Sequence, residues 1–128
     1  MKDSARVAEH PTRVRLPART HLLLDECGIP TGATVAEPRE AAPLASRTFD
    51  DLYALGRGRM LAYVGNDGAA IELRCGPGYP YAQVWVPKGQ SFGALEPMTA
   101  PTNALGRNDT PLVAPGDSFT ARFELRLR

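Results

Sequence analysis

The segment YPYAQVWVPKGQSFGALEPMTAPTNA, residues 79–104, decides the fold. In YAQVWV, residues 81–86, aromatic and polar side chains alternate with small aliphatic ones, so both faces are largely apolar. This pattern predicts a strand inside a sandwich, covered on both sides. Pro87-Lys88-Gly89 predicts a turn, and residues 92–96 predict a second strand. That strand ends in Glu96, whose carboxylate is costly to bury unless it is used or paired.

The rest of the chain repeats this design of short strands and tight turns. Twelve glycines and twelve prolines are spread singly, which breaks helices and marks turns. Strands are predicted at residues 14–16, 22–24, 60–64, 70–74 and 118–128. Asn66-Asp67-Gly68 predicts a hairpin turn, whereas residues 29–32 read as a turn and residues 33–47 as a loop. We therefore predict an all-β, antiparallel β-sandwich.

The final segment, SFTARFELRLR at residues 118–128, alternates most regularly. Its odd-numbered positions, from Phe119 to Leu127, are apolar, and its even-numbered positions are polar or charged. This alternation predicts a closing strand with one face in the core and one in solvent.

Composition narrows the possible partners but selects none. The 128 residues suffice for one domain, and 15 Lys and Arg against 14 Asp and Glu leave no basic nucleic-acid surface. No apolar run is long enough for a membrane span, and the first residues lack a secretory signal, so we predict a cytoplasmic protein. Cys27 and Cys75 lack metal-ligand spacing and are predicted to be reduced thiols. We expect no metal and no cofactor, and a disordered leader at residues 1–12.

Three blocks in order carry a family resemblance. They are LLLDECGIPTG at residues 22–32, FDDLY at residues 49–53, and QVWVP…F…LEP at residues 83–97, with Pro101, Asn103 and Ala104 after it. LVAPGDS at residues 112–118 adds a fourth. From about Leu16 onward the chain resembles the C-terminal portion of the aldose 1-epimerase (galactose mutarotase) family.

The resemblance implies a large antiparallel β-sandwich enzyme, the galactose mutarotase-like supersandwich, that interconverts the α and β anomers of free hexoses such as glucose or galactose. It implies that Glu96 is the general base, and we expect Glu96 to be partly buried beside Trp85 and Phe92. It also implies that Asp50 binds substrate hydroxyls, with Asp51 as the alternative. The Asp25-Glu26 block is expected to make only a turn.

Other readings of these residues remain open. Glu96 could instead be a strand-end carboxylate hydrogen-bonded to loop amides, and Asp50 could shape a turn. Gln83 could reach the sugar or satisfy backbone groups. Arg74 and Arg107 are available for a phosphorylated sugar, although no motif marks them.

The family's catalytic histidine has no counterpart here. It belongs to an N-terminal half, and neither His10 nor His21 stands in a matching motif. We therefore expect an incomplete, C-terminal part of the sandwich at residues 13–128, with impaired activity and possible self-association through uncovered sheet edges. The alternatives are a non-catalytic carbohydrate-binding module, with Tyr79, Tyr81 and Trp85 stacking on sugar rings, or a vestigial fragment.

Overall fold

A computed structural model describes residues 12–128, which form a sandwich of two five-stranded antiparallel sheets. The predicted leader at residues 1–12 lies outside the described residues, apart from Thr12. The strands are Arg13–Leu16 (β1), Arg19–Leu24 (β2), Pro30–Glu37 (β3), Glu40–Pro43 (β4), Phe49–Ala54 (β5), Met60–Val64 (β6), Ala70–Cys75 (β7), Tyr81–Val86 (β8), Ala94–Met98 (β9) and Phe123–Leu127 (β10). Single 3-10 turns occupy Leu44–Ser46 and Leu105–Arg107. Within residues 12–128, no helix has the length and apolar character needed to cross a membrane.

The strand order defines two sheets, which we name A and B. Sheet A runs β10-β7-β6-β1-β4, and sheet B runs β3-β2-β5-β8-β9. The predicted hairpin turn connects β6 and β7, where Gly68 has a φ of 88° and donates its N–H to the Gly65 carbonyl at 3.0 Å. Glycine suits this position because a positive φ strains residues that carry a Cβ. The all-β, antiparallel prediction is confirmed.

The core lies between the inner faces of the two sheets. Its largest fully buried side chains include Val14, Leu16 and Leu61 from sheet A, and Phe49, Tyr53, Val84 and Val86 from sheet B. Each alternates along its strand with a side chain on the opposite face, as the period of two requires. Cys75 is buried in this core and Cys27 is exposed, and both are free thiols.

Strand β8 is covered on one face only, whereas the sequence predicted cover on both. Its even-numbered residues face the core as expected, but on the other face the Trp85 side chain is 41% exposed. The outer face of sheet B is therefore partly open, because within residues 12–128 no third sheet packs on it. The second apolar face of β8 consists of Tyr81 and Trp85, which lie on the outer face of sheet B.

The segment predicted as a turn and a loop, residues 29–47, instead contains two strands. The turn lies earlier, where the Asp25 carboxylate accepts the N–H groups of Cys27 at 2.8 Å and Ile29 at 3.0 Å. This agrees with a purely structural role for the Asp25-Glu26 block. Strands β3 and β4 are edge strands, and six of the eight residues of β3 are exposed. The sequence of β3 therefore carries no apolar alternation that would reveal it, and β4, with four residues, is too short to show one.

The closing strand also differs from its prediction. It begins at Phe123 rather than Ser118, and all five of its residues are exposed. The predicted core face is wrong because β10 lies at the edge of sheet A, beside β7. Regular alternation fixes the two faces of a strand, but burial depends on what packs against it.

A buried arginine holds the β2, β3 and β4 region together. The Arg19 side chain is 0% exposed and donates to Glu37 at 3.0 Å and to Glu40 at 2.5 Å. It also donates to the Pro38 carbonyl at 2.9 Å, and its guanidinium lies 4.5 Å from the centre of the Tyr53 ring. The terminal nitrogens of the guanidinium are thus paired, whereas its buried Nε has no hydrogen-bond partner among the described residues. Buried charges need such pairing, because an unpaired one is strongly destabilising.

This cluster makes stability depend on pH through Glu40. Burial alone would raise the pKa of Glu40, but hydrogen bonds from Arg47 and Arg19 outweigh it and hold the pKa below its ordinary value of 4.5. A lowered folded-state pKa adds stability above pH 4.5, and this contribution disappears as the pH falls through the folded value. We expect Glu40→Gln to lower the free energy of unfolding by about 1–3 kcal/mol at pH 7. In urea unfolding, the difference from the parent should shrink below pH 4.5; a difference that is constant with pH would contradict this.

Candidate functional site

The three residues predicted to form the site lie on three neighbouring strands of sheet B. Gln83 of β8 is directly opposite Glu96 of β9, and Asp50 of β5 is directly opposite Trp85 of β8. Residues that face each other across a ladder point to the same side of the sheet, and so do alternate residues along one strand. These four residues therefore share the outer face of sheet B, and we call them the outer-face cluster.

A hydrogen bond links two members of the cluster. The Gln83 amide donates from Nε2 to Asp50 Oδ1 at 2.9 Å. The bond crosses diagonally from β8 to β5 and fixes the position of the Asp50 carboxylate. An ionised carboxylate has several acceptor sites, so Asp50 keeps capacity for a ligand hydroxyl. The amide oxygen of Gln83 is likewise an acceptor.

Glu96 is exposed, which corrects the expectation of partial burial beside Trp85 and Phe92. The reason is its position, since β9 is the edge strand of sheet B and Glu96 points to the open face. Directly opposed side chains start about 5 Å apart at Cβ, so Glu96 and Gln83 can contact one small ligand together. The carboxylate is therefore accessible, as a base that acts on a bound molecule must be.

Aromatic side chains border the cluster. The Trp85 and Phe92 rings lie 6.1 Å apart in a tilted arrangement, and Phe92 is itself half exposed. Tyr81 precedes Gln83 by two residues on the same face of β8. Tyr79, in contrast, packs against the core and against Phe123 at 5.9 Å. Of the three aromatics predicted to stack on sugars, Tyr81 and Trp85 lie on this face and Tyr79 does not.

The structure separates the two carboxylates of the FDDLY block. Asp51 shares the inner side of β5 with Phe49 and Tyr53, and it accepts the Tyr53 hydroxyl at 2.8 Å. Burial raises the pKa of Tyr53, which keeps this hydroxyl a donor. Asp50 alone of the pair is on the open face, so it is the better candidate for contact with a ligand.

His21 lies on the inner side of sheet B, away from the cluster. It is opposite Tyr53 across β2 and β5, and its Nδ1 lies 3.0 Å from Glu37. Its Nε2 lies 3.7 Å from Asp51. His21 therefore belongs to the polar group around Arg19, and the described region places no histidine on the outer face. His10 is outside the described residues.

The long loop after β9 borders the outer-face cluster. Residues 99–111 pass beside the outer face, and Arg107 donates to the Pro30 carbonyl at the start of β3. Beneath the loop lies a cavity of about 220 Å³, lined in part by Leu22, Thr34, Tyr81, Thr102 and Asp109. Tyr81 connects this cavity with the outer-face cluster.

Two arginines considered for phosphate binding do not meet at this site. Arg74 points away from the core of sheet A, since it alternates with the buried Leu73 and Cys75. Arg107 uses its guanidinium to hold the loop against β3. The outer-face cluster therefore contains neither arginine, although Arg107 also lines the cavity beneath the loop.

Comparisons with known proteins support the fold. A solved structure of a galactose mutarotase-like protein from Clostridium acetobutylicum superimposes with a TM-score of 0.77 and 18% sequence identity. The match covers 94% of this chain and 42% of that protein, so this chain spans less than half of its length. No family model matches the sequence, and no curated protein matches it. The described residues thus form an antiparallel β-sandwich of the galactose mutarotase-like kind, as the sequence predicted.

Proposed function

We propose that the outer-face cluster binds a free hexose such as glucose or galactose, and that Glu96 acts as a general base of the aldose 1-epimerase type. The observation that carries this is the placement of Asp50, Gln83 and Glu96 on one open face beside an exposed tryptophan. Sugars present hydroxyl groups at their edges and apolar C–H surfaces on their rings. Carboxylates and an amide can hydrogen-bond the hydroxyl groups, and aromatic side chains can pack against the C–H surfaces.

The chemistry assigns Glu96 one half of the reaction. Anomerisation removes a proton from the anomeric hydroxyl and places one on the ring oxygen, after which the ring opens, the C1–C2 bond rotates and the ring closes on the other face. A base alone makes the first transfer. A positioned acid or base typically contributes 10²–10⁴-fold in rate. With no histidine on this face among residues 12–128, we expect slow anomerisation by this chain alone.

A second candidate function is sugar binding without catalysis. It is favoured by the position of His21, which is engaged with Glu37 on the opposite side of the sheet. The same cluster would then act as a recognition surface, and Glu96 would accept a hydroxyl proton in a hydrogen bond without removing it.

Polarimetry separates the two candidates. Mutarotation of α-D-glucose and α-D-galactose is followed with the parent protein, with Glu96→Gln and with Glu26→Gln, a control in the exposed β2–β3 turn. Acceleration that Glu96→Gln abolishes and Glu26→Gln retains is the expected result for a base. A folded protein that binds sugar without any acceleration would support the recognition surface instead. If all three proteins left mutarotation at its uncatalysed rate and bound no sugar, both candidate functions would be contradicted.

A further inference from the structure

The free edge of sheet A carries an exposed apolar row. Leu125 and Leu127 of β10 are 64% and 79% exposed, and Phe123 and Ile71 beside them are half exposed. Phe123 and Leu125 border an open groove of about 300 Å³ between the two sheets, which Tyr63, Leu95 and Pro97 also line. Large aliphatic side chains in a row at an unpaired sheet edge are typical of a surface that pairs with another chain.

The backbone of β10 is oriented for such pairing. Arg128 and Ala70 exchange both of their backbone hydrogen bonds, at 2.9 and 3.1 Å. Along an antiparallel ladder, residues alternate between pointing these groups at one neighbour and at the other. The even-numbered residues of β10 therefore bond to β7. The N–H and C=O groups of Phe123, Leu125 and Leu127 point to the free edge.

The sequence of β10 is complementary to itself in the antiparallel direction. When two copies of FELRL, residues 123–127, run in opposite directions about Leu125, the two leucines meet at the centre. Phe123 then lies opposite Leu127 of the partner strand. Each Glu124 lies opposite an Arg126 of the other copy, so both ends gain an opposite-charge pair. Opposed charges of unlike sign stabilise a ladder, and like charges destabilise it.

We propose that this protein forms a two-fold symmetric dimer by antiparallel pairing of β10 with β10 of a second copy, centred on Leu125. The pairing joins the two A sheets into one ten-stranded sheet. The two Leu125 residues form a hydrogen-bonded pair, because the N–H and C=O groups of each point to the free edge. Glu124 and Arg126 of opposite copies lie at the closer, non-hydrogen-bonded positions of the ladder. One surface patch serves both copies, as a closed dimer requires.

The positions of Glu124 and Arg126 on either side of Leu125 favour a second copy of β10 over an unrelated strand. Any extended apolar segment could cover Leu125 and Leu127. A reversed copy of the same strand also places Glu124 and Arg126 in register on both sides of the axis. Within one strand the two side chains already reach each other at 3.2 Å on the outer face of sheet A. The net charge of +1 adds little overall repulsion between copies.

The test uses two charge reversals that cancel only when mixed. Glu124→Arg alone places two like-charged arginine pairs across the axis, and Arg126→Glu alone places two glutamate pairs. An equimolar mixture restores opposite charges at both positions. Sedimentation velocity over a concentration series measures association of the parent, of each variant and of the mixture, while circular dichroism checks folding.

We expect the parent to dimerise and each variant alone to associate about tenfold more weakly. The mixture should recover the dimerisation of the parent. Leu125→Pro removes an N–H that points to the free edge and not to β7, so it should block dimerisation without unfolding the sheet. A folded parent that stays monomeric throughout the series would overturn the proposal, and its edge would then serve a different chain. A mixture that associates no better than its components would overturn the register.

Discussion

Replacing Arg19 with methionine is expected to lower the free energy of unfolding by about 3–5 kcal/mol. Methionine fills much of the same volume, so the loss comes from the charge and its hydrogen bonds. Glu37, Glu40 and the Pro38 carbonyl each lose a donor. Removing one member of a buried ion cluster leaves the others uncompensated, which costs more than the net value of the intact cluster. Urea unfolding followed by far-UV circular dichroism at pH 7 measures the change.

Arg47 provides the matched control. It pairs with the same Glu40 at 2.8 Å, but its side chain is 44% exposed. Exposed ion pairs contribute roughly 0–1 kcal/mol, so Arg47→Met should cost about 1 kcal/mol or less. If Arg19→Met and Arg47→Met lowered the free energy of unfolding equally, burial would not be the reason for the large effect at Arg19.

The second large effect concerns ligand binding. Asp50→Asn preserves the shape of the side chain and removes its charge, so we expect the Kd for D-galactose to rise tenfold or more. A hydrogen bond to a charged group contributes about 1.5–3 kcal/mol, which corresponds to this change in Kd. Isothermal titration calorimetry of the parent and the variant gives the two constants.

Asp51→Asn is the control for this experiment. Asp51 adjoins Asp50 in sequence but faces the inner side, where it accepts the Tyr53 hydroxyl. An asparagine oxygen can accept the same bond, and the side chain faces away from the outer-face cluster, so sugar affinity should change by less than about twofold. If Asp51→Asn weakened binding as much as Asp50→Asn, the site would not be confined to the outer face.

The sequence predicted those parts of the fold in which neighbouring residues alone determine the backbone conformation. Residues 81–86 alternate as a strand must, and the Asn66-Asp67-Gly68 turn needs a positive φ that glycine supplies. Strand β3 was not predicted because an exposed edge strand needs no apolar face, and β4 was not predicted because its four residues are too few to show alternation. The exposure of β10 could not be predicted either, since alternation is the same whether or not another layer covers the strand.

The candidate site was only partly visible in the sequence. The period of two could not choose between Asp50 and Asp51, because Phe49 and Tyr53 share the parity of Asp51 whereas Leu52, which is also fully buried, shares that of Asp50. The exposure of Glu96 depends on β9 being an edge strand, which is a property of sheet order. The cavity beside Tyr81 forms only when the loop at residues 99–111 folds back onto β3. Contacts so distant in sequence leave no local signal.

The most direct test of a sugar site on the outer face of sheet B is a two-dimensional ¹H–¹⁵N NMR titration of the protein with D-galactose. We predict saturable shifts of the Trp85 indole N–H and of the backbone amides of Asp50, Gln83 and Glu96, with little change around Arg19 and His21. Saturable shifts confined to the Arg19 side of the sheet, or none at any residue of sheet B, would contradict it.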